Sequence, residues 1–188
     1  MSGTVRPVPG NGFVSIRLTK QAAQIQQFLN GTVAQNGEFT FRNVAPGSYI
    51  LTAQAVEVDP LTKQTTLTNG ALRRVQVSEQ ATRLDLSLAA IPDLKGTVTF
   101  QEGCTPAPVR VLIGGGSALT AADGSFTFTG MSPNTIRVWV VPVDESLPVS
   151  SASIRLGSRE VTHEWFDYPG DGSPELNIVM KCATGVRQ

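Results

Sequence analysis

The chain has 188 residues, 40% of them hydrophobic, 16% charged and 6% aromatic, and its formal net charge is zero. A chain this apolar folds rather than staying disordered, and without a basic field to neutralise phosphates it is not built for nucleic acid. No apolar run reaches the ~18 residues that span a bilayer, so no membrane span is expected, and the length allows one domain or two.

Met1-Ser2-Gly3 leads straight into a strand at Val5, with no basic n-region and no apolar h-region. Because a secreted protein requires such a signal, the chain reads as a segment of a longer one. Pro7 to Gly12 is rich in turn residues. Val14, Ile16 and Leu18 then alternate with Ser15 and Arg17, the pattern of a half-buried strand. Lys20 to Leu29 carries Ala22, Ile25 and Leu29 at helical spacing but has no firm cap, and it reads either as a short helix or as a loose edge segment. Gly31 to Ala34 is a short strand. Asn36-Gly37 is a tight-turn signal, because both residues tolerate positive φ. Phe39 and Phe41 share one face of the strand that follows. Pro46-Gly47 turns again, and Tyr49, Leu51 and Ala53 share a face of the next strand. Asp59-Pro60 signals a loop. The polar run Thr62 to Asn69 reads as a hairpin with its turn at Asn69-Gly70. Val75 and Val77, then Leu84, Leu86 and Leu88, are closing strands, and Ala89 to Asp93 is a five-residue linker that restricts swing.

The second half repeats the plan. Val98 and Phe100 alternate, Glu102 to Pro106 turns, and Val109, Val111 and Ile113 form a strand before the flexible loop Gly114-Gly115-Gly116-Ser117. Asp123-Gly124-Ser125-Phe126-Thr127-Phe128 then repeats the Asn36-Gly37 stretch, and Pro133 repeats Pro46, each 87 residues on. Gly96-Thr97-Val98 repeats Gly3-Thr4-Val5 after 93 residues. Ile136 to Val140 carries Trp139 on the face opposite Val138 and Val140, where it is either core or partner-facing. Ile154 and Leu156, then Leu176, Ile178 and Met180, close the set. Two copies at this period mean two small domains, residues 1–91 and 92–188, rather than a solenoid. The expected fold class is all-β.

The pattern G-x-V, then D/N-G-x-F-x-F, then P-G-x-Y-x-L resembles the carboxypeptidase regulatory-like domain, which belongs with the transthyretin-like (prealbumin-like) and Cna B-type β-sandwiches. Ser151 to Gly157 and Glu175 to Val179 are also similar to the closing strands of tandem repeats in large bacterial envelope proteins. The second copy departs from the motif: Asn134 stands for the Gly after Pro133, and Ile136 for the Tyr. The resemblance implies two tandem β-sandwich domains, all antiparallel or mostly so. It further implies a non-catalytic extracellular or cell-envelope module, a spacer or interaction repeat whose partners are neighbouring repeats or other surface proteins. Cna B-type domains often carry a Lys-to-Asn/Asp isopeptide bond promoted by a Glu two residues after the Leu of Y-x-L. Ala53 and Val140 hold that position here, so no crosslink is expected.

Residues able to do chemistry are few. His163 is the only histidine, and any Ser-His-Asp or Cys-His site, the remote alternative of a small hydrolase, would have to use it. Gly114 to Ala118 fits neither G-x-S-x-G nor G-x-G-x-x-G. Cys104, Cys182, His163 and Glu164 meet the ligand count for zinc only through long-range convergence. No catalytic residue, metal or cofactor is therefore assigned. Cys104 and Cys182 form either a disulfide within the second copy or two buried free thiols. Trp165, Phe166 and Tyr168 are three aromatics within four residues. They read either as packing beneath the Pro169-Gly170 turn or as a sugar-stacking platform, in which Trp165 and Tyr168 stack while Asp167 and Asp171 accept hydroxyl bonds. The second reading makes the chain a carbohydrate-binding module.

Overall fold

The computed structural model describes residues 1–20, 27–80, 82–168 and 174–182, and no helix occurs among them. The molecule is all-β. It divides into two compact units, one built on Met1–Ile91 and the other on Pro92–Met131, Thr135–Asp167 and the strand that follows.

Unit 1 contains β1 (Ser2–Arg6), β2 (Gly12–Lys20), β3 (Gln27–Asn30), β4 (Thr32–Val33), β5 (Glu38–Thr40), β6 (Gly47–Val58), β7 (Thr65–Val77), β8 (Arg83–Ser87) and β9 (Ala89–Ala90). They form two sheets, ordered β4-β5-β1-β8 and β3-β2-β6-β7-β9. Alternation decides what lies between them. Val5, Phe39 and Leu86 of the first sheet and Val14, Ile16, Leu18, Tyr49, Leu51, Ala53 and Ala55 of the second, with Phe41, Val77 and Leu88, make one buried cluster. Each large side chain buried there contributes about 1.5–3 kcal/mol.

The repeated motif acquires physical reasons here. Gly37 has φ of 84°, and its carbonyl accepts the Val5 amide at 2.8 Å. Asn36 Oδ1 accepts the Glu38 amide at 3.0 Å, fixing the turn. Gly3 lies on β1 between β5 and β8. A Cβ there would stand 1.7 Å from the Leu84 carbonyl oxygen and 2.8 Å from the Phe39 ring, so only glycine fits. Phe39 meets Phe41 edge-on, 6.0 Å between centroids. The Tyr49 hydroxyl donates to the Ala45 carbonyl at 2.8 Å, closing the Pro46-Gly47 turn on its own strand.

The sandwich is mostly antiparallel, within what was expected, with β1 and β8 running parallel from Ser2↔Arg83 to Arg6↔Ser87. Two expectations for unit 1 change. Asn69-Gly70 is no turn: it lies inside β7, and the chain reverses earlier, where Asp59 Oδ1 accepts the Leu61 and Thr62 amides and Lys63 takes a φ of 59°. Asn69 and Gly70 instead pair with Ala90 and Ala89, so the first two residues of the expected linker are strand. Of the ambiguous stretch before Asn30, residues 21–26 lie outside those described, and Gln27–Asn30 is an edge strand on β2.

Unit 2 contains β10 (Leu94–Phe100), β11 (Val109–Ile113), β12 (Gly116–Leu119), β13 (Ser125–Phe128), β14 (Asn134–Ile136), β15 (Val138–Pro142), β16 (Val149–Leu156), β17 (Arg159–Glu160), β18 (Phe166–Tyr168) and β19 (Leu176–Cys182), except that Asn134 and Tyr168 group with unit 1. The sheets are β13-β10-β19-β16-β17, β12-β11-β15 and the pair β14-β18. Val98, Phe126, Ile154, Ile178 and Met180 are buried from the first sheet, and Val109, Val111, Ile113 and Val138 from the second. β10 and β19 run parallel, as β1 and β8 do. A Cβ at Gly96 would lie 2.4 Å from the Leu176 carbonyl oxygen and 2.4 Å from the Phe126 ring. The Val98 amide donates to the Gly124 carbonyl at 2.9 Å, and Asp123 Oδ1 accepts the Ser125 amide at 2.9 Å. Gly114 and Gly115, with φ of 54° and 90°, form a two-residue hairpin between β11 and β12, where a flexible loop was expected. Asn134 is not among the positive-φ residues, which explains how it replaces the glycine that has φ of 151° at position 47.

Candidate functional site

β18 splits the aromatic cluster by its own alternation. Phe166 and Tyr168 are buried, at 2% and 1% exposure, while Trp165, one residue before the strand, is 64% exposed. Tyr168 is therefore withdrawn from the stacking platform, because a ring without an exposed face cannot stack on a sugar. Asp167 accepts the Thr135 hydroxyl at 2.9 Å. Asp171 and the Pro169-Gly170-Asp171-Gly172 turn lie outside the described residues. Of the proposed sugar contacts, Trp165 alone combines an aromatic face with exposure.

His163 is exposed and holds a φ of 59° in the turn after β17. Cys104 and Cys182 are joined as a disulfide, their Cα atoms 5.8 Å apart, and the Cys182 amide approaches Cys104 Sγ at 3.0 Å. Local structure makes the pairing reachable. Gln101 to Cys104 turns directly off the end of β10, with the Cys104 amide bonded to the Gln101 carbonyl, and Cys182 ends the parallel neighbour β19. A bonded sulfur is neither nucleophile nor metal ligand, so neither cysteine can serve His163. Among the described residues, no three His, Cys, Asp or Glu side chains are grouped to hold a metal ion. No helix among them is long and apolar enough to cross a membrane.

Two further features of unit 2 come from comparing the copies. A cleft of about 530 Å3 opens between the end of β10 and the Asp123-Gly124 turn, lined by Val98, Phe100, Pro106, Pro108, Ala121 and Asp123 among others. In unit 1 the matching turn is covered: a Cβ on Gly37 would lie 3.1 Å from Val8 Cγ2. Thr120 at the back of the cleft is buried, yet its hydroxyl accepts the Val109 amide at 3.1 Å and donates to the Val109 carbonyl at 3.3 Å. The Ser125 hydroxyl and amide hold the Asp123 carboxyl below its usual range.

The second feature is the outer face of the β12-β11-β15 sheet. Trp139 is 49% exposed beside Leu112, and Val141 and Leu119 flank Arg110 across the ladder. The Arg137 guanidinium lies over the Trp139 ring, 4.0 Å from its centroid, a cation–π contact. Alternation from Val138 to Val140 signalled that Trp139 stands apart from its neighbours. Nothing in the alternation signalled that its face is open.

No family model matches the chain, and no curated protein matches it. Among solved structures it is similar to the minor pilin GBS52 of Streptococcus agalactiae, at 12% identity and a TM-score of 0.37, covering 100% of this chain and 98% of that one. A C-terminal fragment of the pilus adhesin SpaC of Lactobacillus rhamnosus GG is similar at 9% identity and a TM-score of 0.31, covering 98% and 99%. The Bacillus anthracis TIE protein is similar at 9% identity and 0.34, covering 96% and 39%. Scores of this size do not establish a shared fold, and the architecture rests on the strand ladders themselves.

Proposed function

We propose that this chain is a non-catalytic module of an extracellular or cell-envelope protein, a tandem pair of transthyretin-like, carboxypeptidase-regulatory-like β-sandwich domains. It acts as a structural spacer and presents surfaces to neighbouring repeats or other surface proteins. The observation that carries this reading is the duplicated frame. Gly3, Gly37 and Phe39 in one unit, and Gly96, Gly124 and Phe126 in the other, hold the same parallel strand pair and the same turn. The Cys104–Cys182 disulfide fits an oxidising compartment, and it also removes the nucleophile a Cys-His hydrolase would need. Expression of residues 1–91 and 92–188 as separate chains tests the reading. Each half should melt in one cooperative transition, because each encloses its own core. If neither half melts cooperatively alone, the two-domain module is wrong.

One observation favours the carbohydrate-binding alternative: Trp165 is exposed beside Asp167. On that reading a glycan array finds a ligand, and Trp165→Ala removes binding while moving the melting temperature little, since an exposed side chain contributes little to the core. A fall of many degrees, or an array without a hit, removes the alternative.

A further inference from the structure

The two units treat the same strand differently. In unit 1, β6 is paired on both sides, by β2 and by β7, the latter along the whole length from Gly47↔Val77 to Val58↔Thr65. Its counterpart in unit 2 is split into β14 and β15: β14 pairs with β18, while β15 among the described residues pairs with β11 alone. The strand that follows it, β16, goes to the other sheet and pairs with β19. The N–H and C=O groups of β15 that do not face β11 are therefore left on an open sheet edge, a ready template for another strand.

The side chains on that edge differ in the same sense. Counting 87 residues back, Trp139 and Val141 correspond to Thr52 and Gln54. Where the strand is fully paired, its outward positions are polar. Where it is open, they are a tryptophan and a valine, 49% and 40% exposed, followed by Val143 at 51%. Charge is one-sided as well. Over β11, β12, β15 and residue 137, the only charged side chains are Arg110 and Arg137. Arg137 is held flat on Trp139, and its Nε is enclosed without a hydrogen-bond partner.

We propose that β15 is a docking strand for an extended peptide segment bearing alternating apolar and acidic side chains. The segment adds to the open edge as β7 adds to β6. Its main chain bonds the free groups of β15, an apolar side chain packs on Trp139 and Val141, and its carboxylates pair with Arg110 and Arg137. Strand addition supplies affinity through the main chain, while the arginines select acidic partners over basic ones. The proposal rests on the reading of the chain as an interaction module and names the partner's chemistry.

The test uses the full chain and three blocked synthetic peptides of about ten residues, the length of a long strand. One alternates valine with glutamate and threonine, one carries lysine for glutamate, and one repeats the first with alternate peptide nitrogens methylated. Hydrogen exchange is followed at Val138 to Val141. In the free protein the outward amides of β15 should exchange much faster than those at the centre of β6. The glutamate peptide should slow them by roughly tenfold or more, and the methylated and lysine peptides should not. Arg137→Glu should weaken the glutamate peptide roughly tenfold, the loss of one charge-assisted pair, with an unchanged melt. Should Arg137→Glu fail to fold, Arg110→Glu gives the same readout. Equal protection by the lysine peptide, or none by the glutamate peptide, overturns the proposal. Protection that rises with protein concentration in the absence of peptide also overturns it, because it makes a second copy the occupant. Separately folding halves with an edge that ignores peptide would sink this proposal and leave the module reading standing.

Discussion

Unit 1 and unit 2 share a parallel strand pair, β1 with β8 or β10 with β19, the Asn-Gly or Asp-Gly turn, and the short strand after that turn, β5 or β13, which pairs antiparallel with β1 or β10. They part at the next strand. In unit 1, β6 runs on to Val58, the Asp59 carboxylate caps a tight loop, and β7 returns beside β6. In unit 2, β15 stops at Pro142, and a second proline, Pro148, precedes β16. Neither proline has an N–H for a ladder. The Asp144 carboxylate fastens the loop by accepting the Ser146 amide at 3.0 Å, and the chain crosses to pair from Val149↔Cys182 to Leu156↔Leu176. The repeated motif fixes the common frame. The loop after it decides which sheet receives the following strand, and so which edge is left open.

The severest test of the common frame is to place a side chain on its glycines. Gly96→Val drives a Cβ into the Leu176 carbonyl and the Phe126 ring, and it should cost unit 2 about 4 kcal/mol or more, enough to leave that unit unfolded. Gly3→Val should do the same to unit 1. Calorimetry of the full chain should show one transition lost and the other kept. Loss of both from a single substitution would show that the two units are not separate cores.

The disulfide belongs to unit 2 alone, so reduction should sharpen the contrast. Cys104→Ser with Cys182→Ser, or a reductant, should lower the stability of unit 2 by about 2–4 kcal/mol and leave unit 1 unchanged. Urea unfolding with and without reductant measures it. An equal shift in both units, or none in unit 2, would contradict the assignment.

The smallest expected difference lies in the turns. Asn36 and Asp123 accept the same amide bond, but only Asp123 titrates. The Ser125 hydroxyl and amide lower its pKa in the folded state, so its contribution is present above the unfolded value of about 3.9 and is lost as pH falls through the lower folded value. Asp123→Asn should therefore narrow the gap between the urea midpoints of residues 92–188 at neutral and strongly acid pH. An unchanged gap would show that the carboxylate does nothing the amide cannot.

What could be read in advance follows the range of the interactions. Alternation at Val14, Ile16 and Leu18, and the paired phenylalanines after each turn, depend on neighbours a few residues away, and these faces are buried as expected. Parallel pairing of β1 with β8 leaves no mark on alternation, because a strand presents the same face to either direction of partner. Asn69-Gly70 misled because a dipeptide suited to a turn is also tolerated inside a paired strand, where Gly70 lies buried with Ile91 Cδ1 3.1 Å from the place of a Cβ. In the candidate site, the excess of aromatics at Trp165 to Tyr168 was legible. Its division into one exposed and two buried rings depends on β18, whose partner β14 is about thirty residues away.

The Cys104–Cys182 bond also sets how far unit 2 can lengthen under tension. Pull on unit 2 from the start of β10 and the end of β19, and the force entering at Cys182 passes through the sulfurs to Cys104 and on into β10. The stretch of sequence between them, a separation of 78 residues, is bypassed. At roughly 3.3–3.6 Å per extended residue, about 260 Å of chain is withheld from stretching. Unit 1 has no such bypass, since both cysteines lie beyond Ile91. A steady load would draw unit 1 out while oxidised unit 2 behaves as a nearly inextensible link, and a reductant would make both extensible.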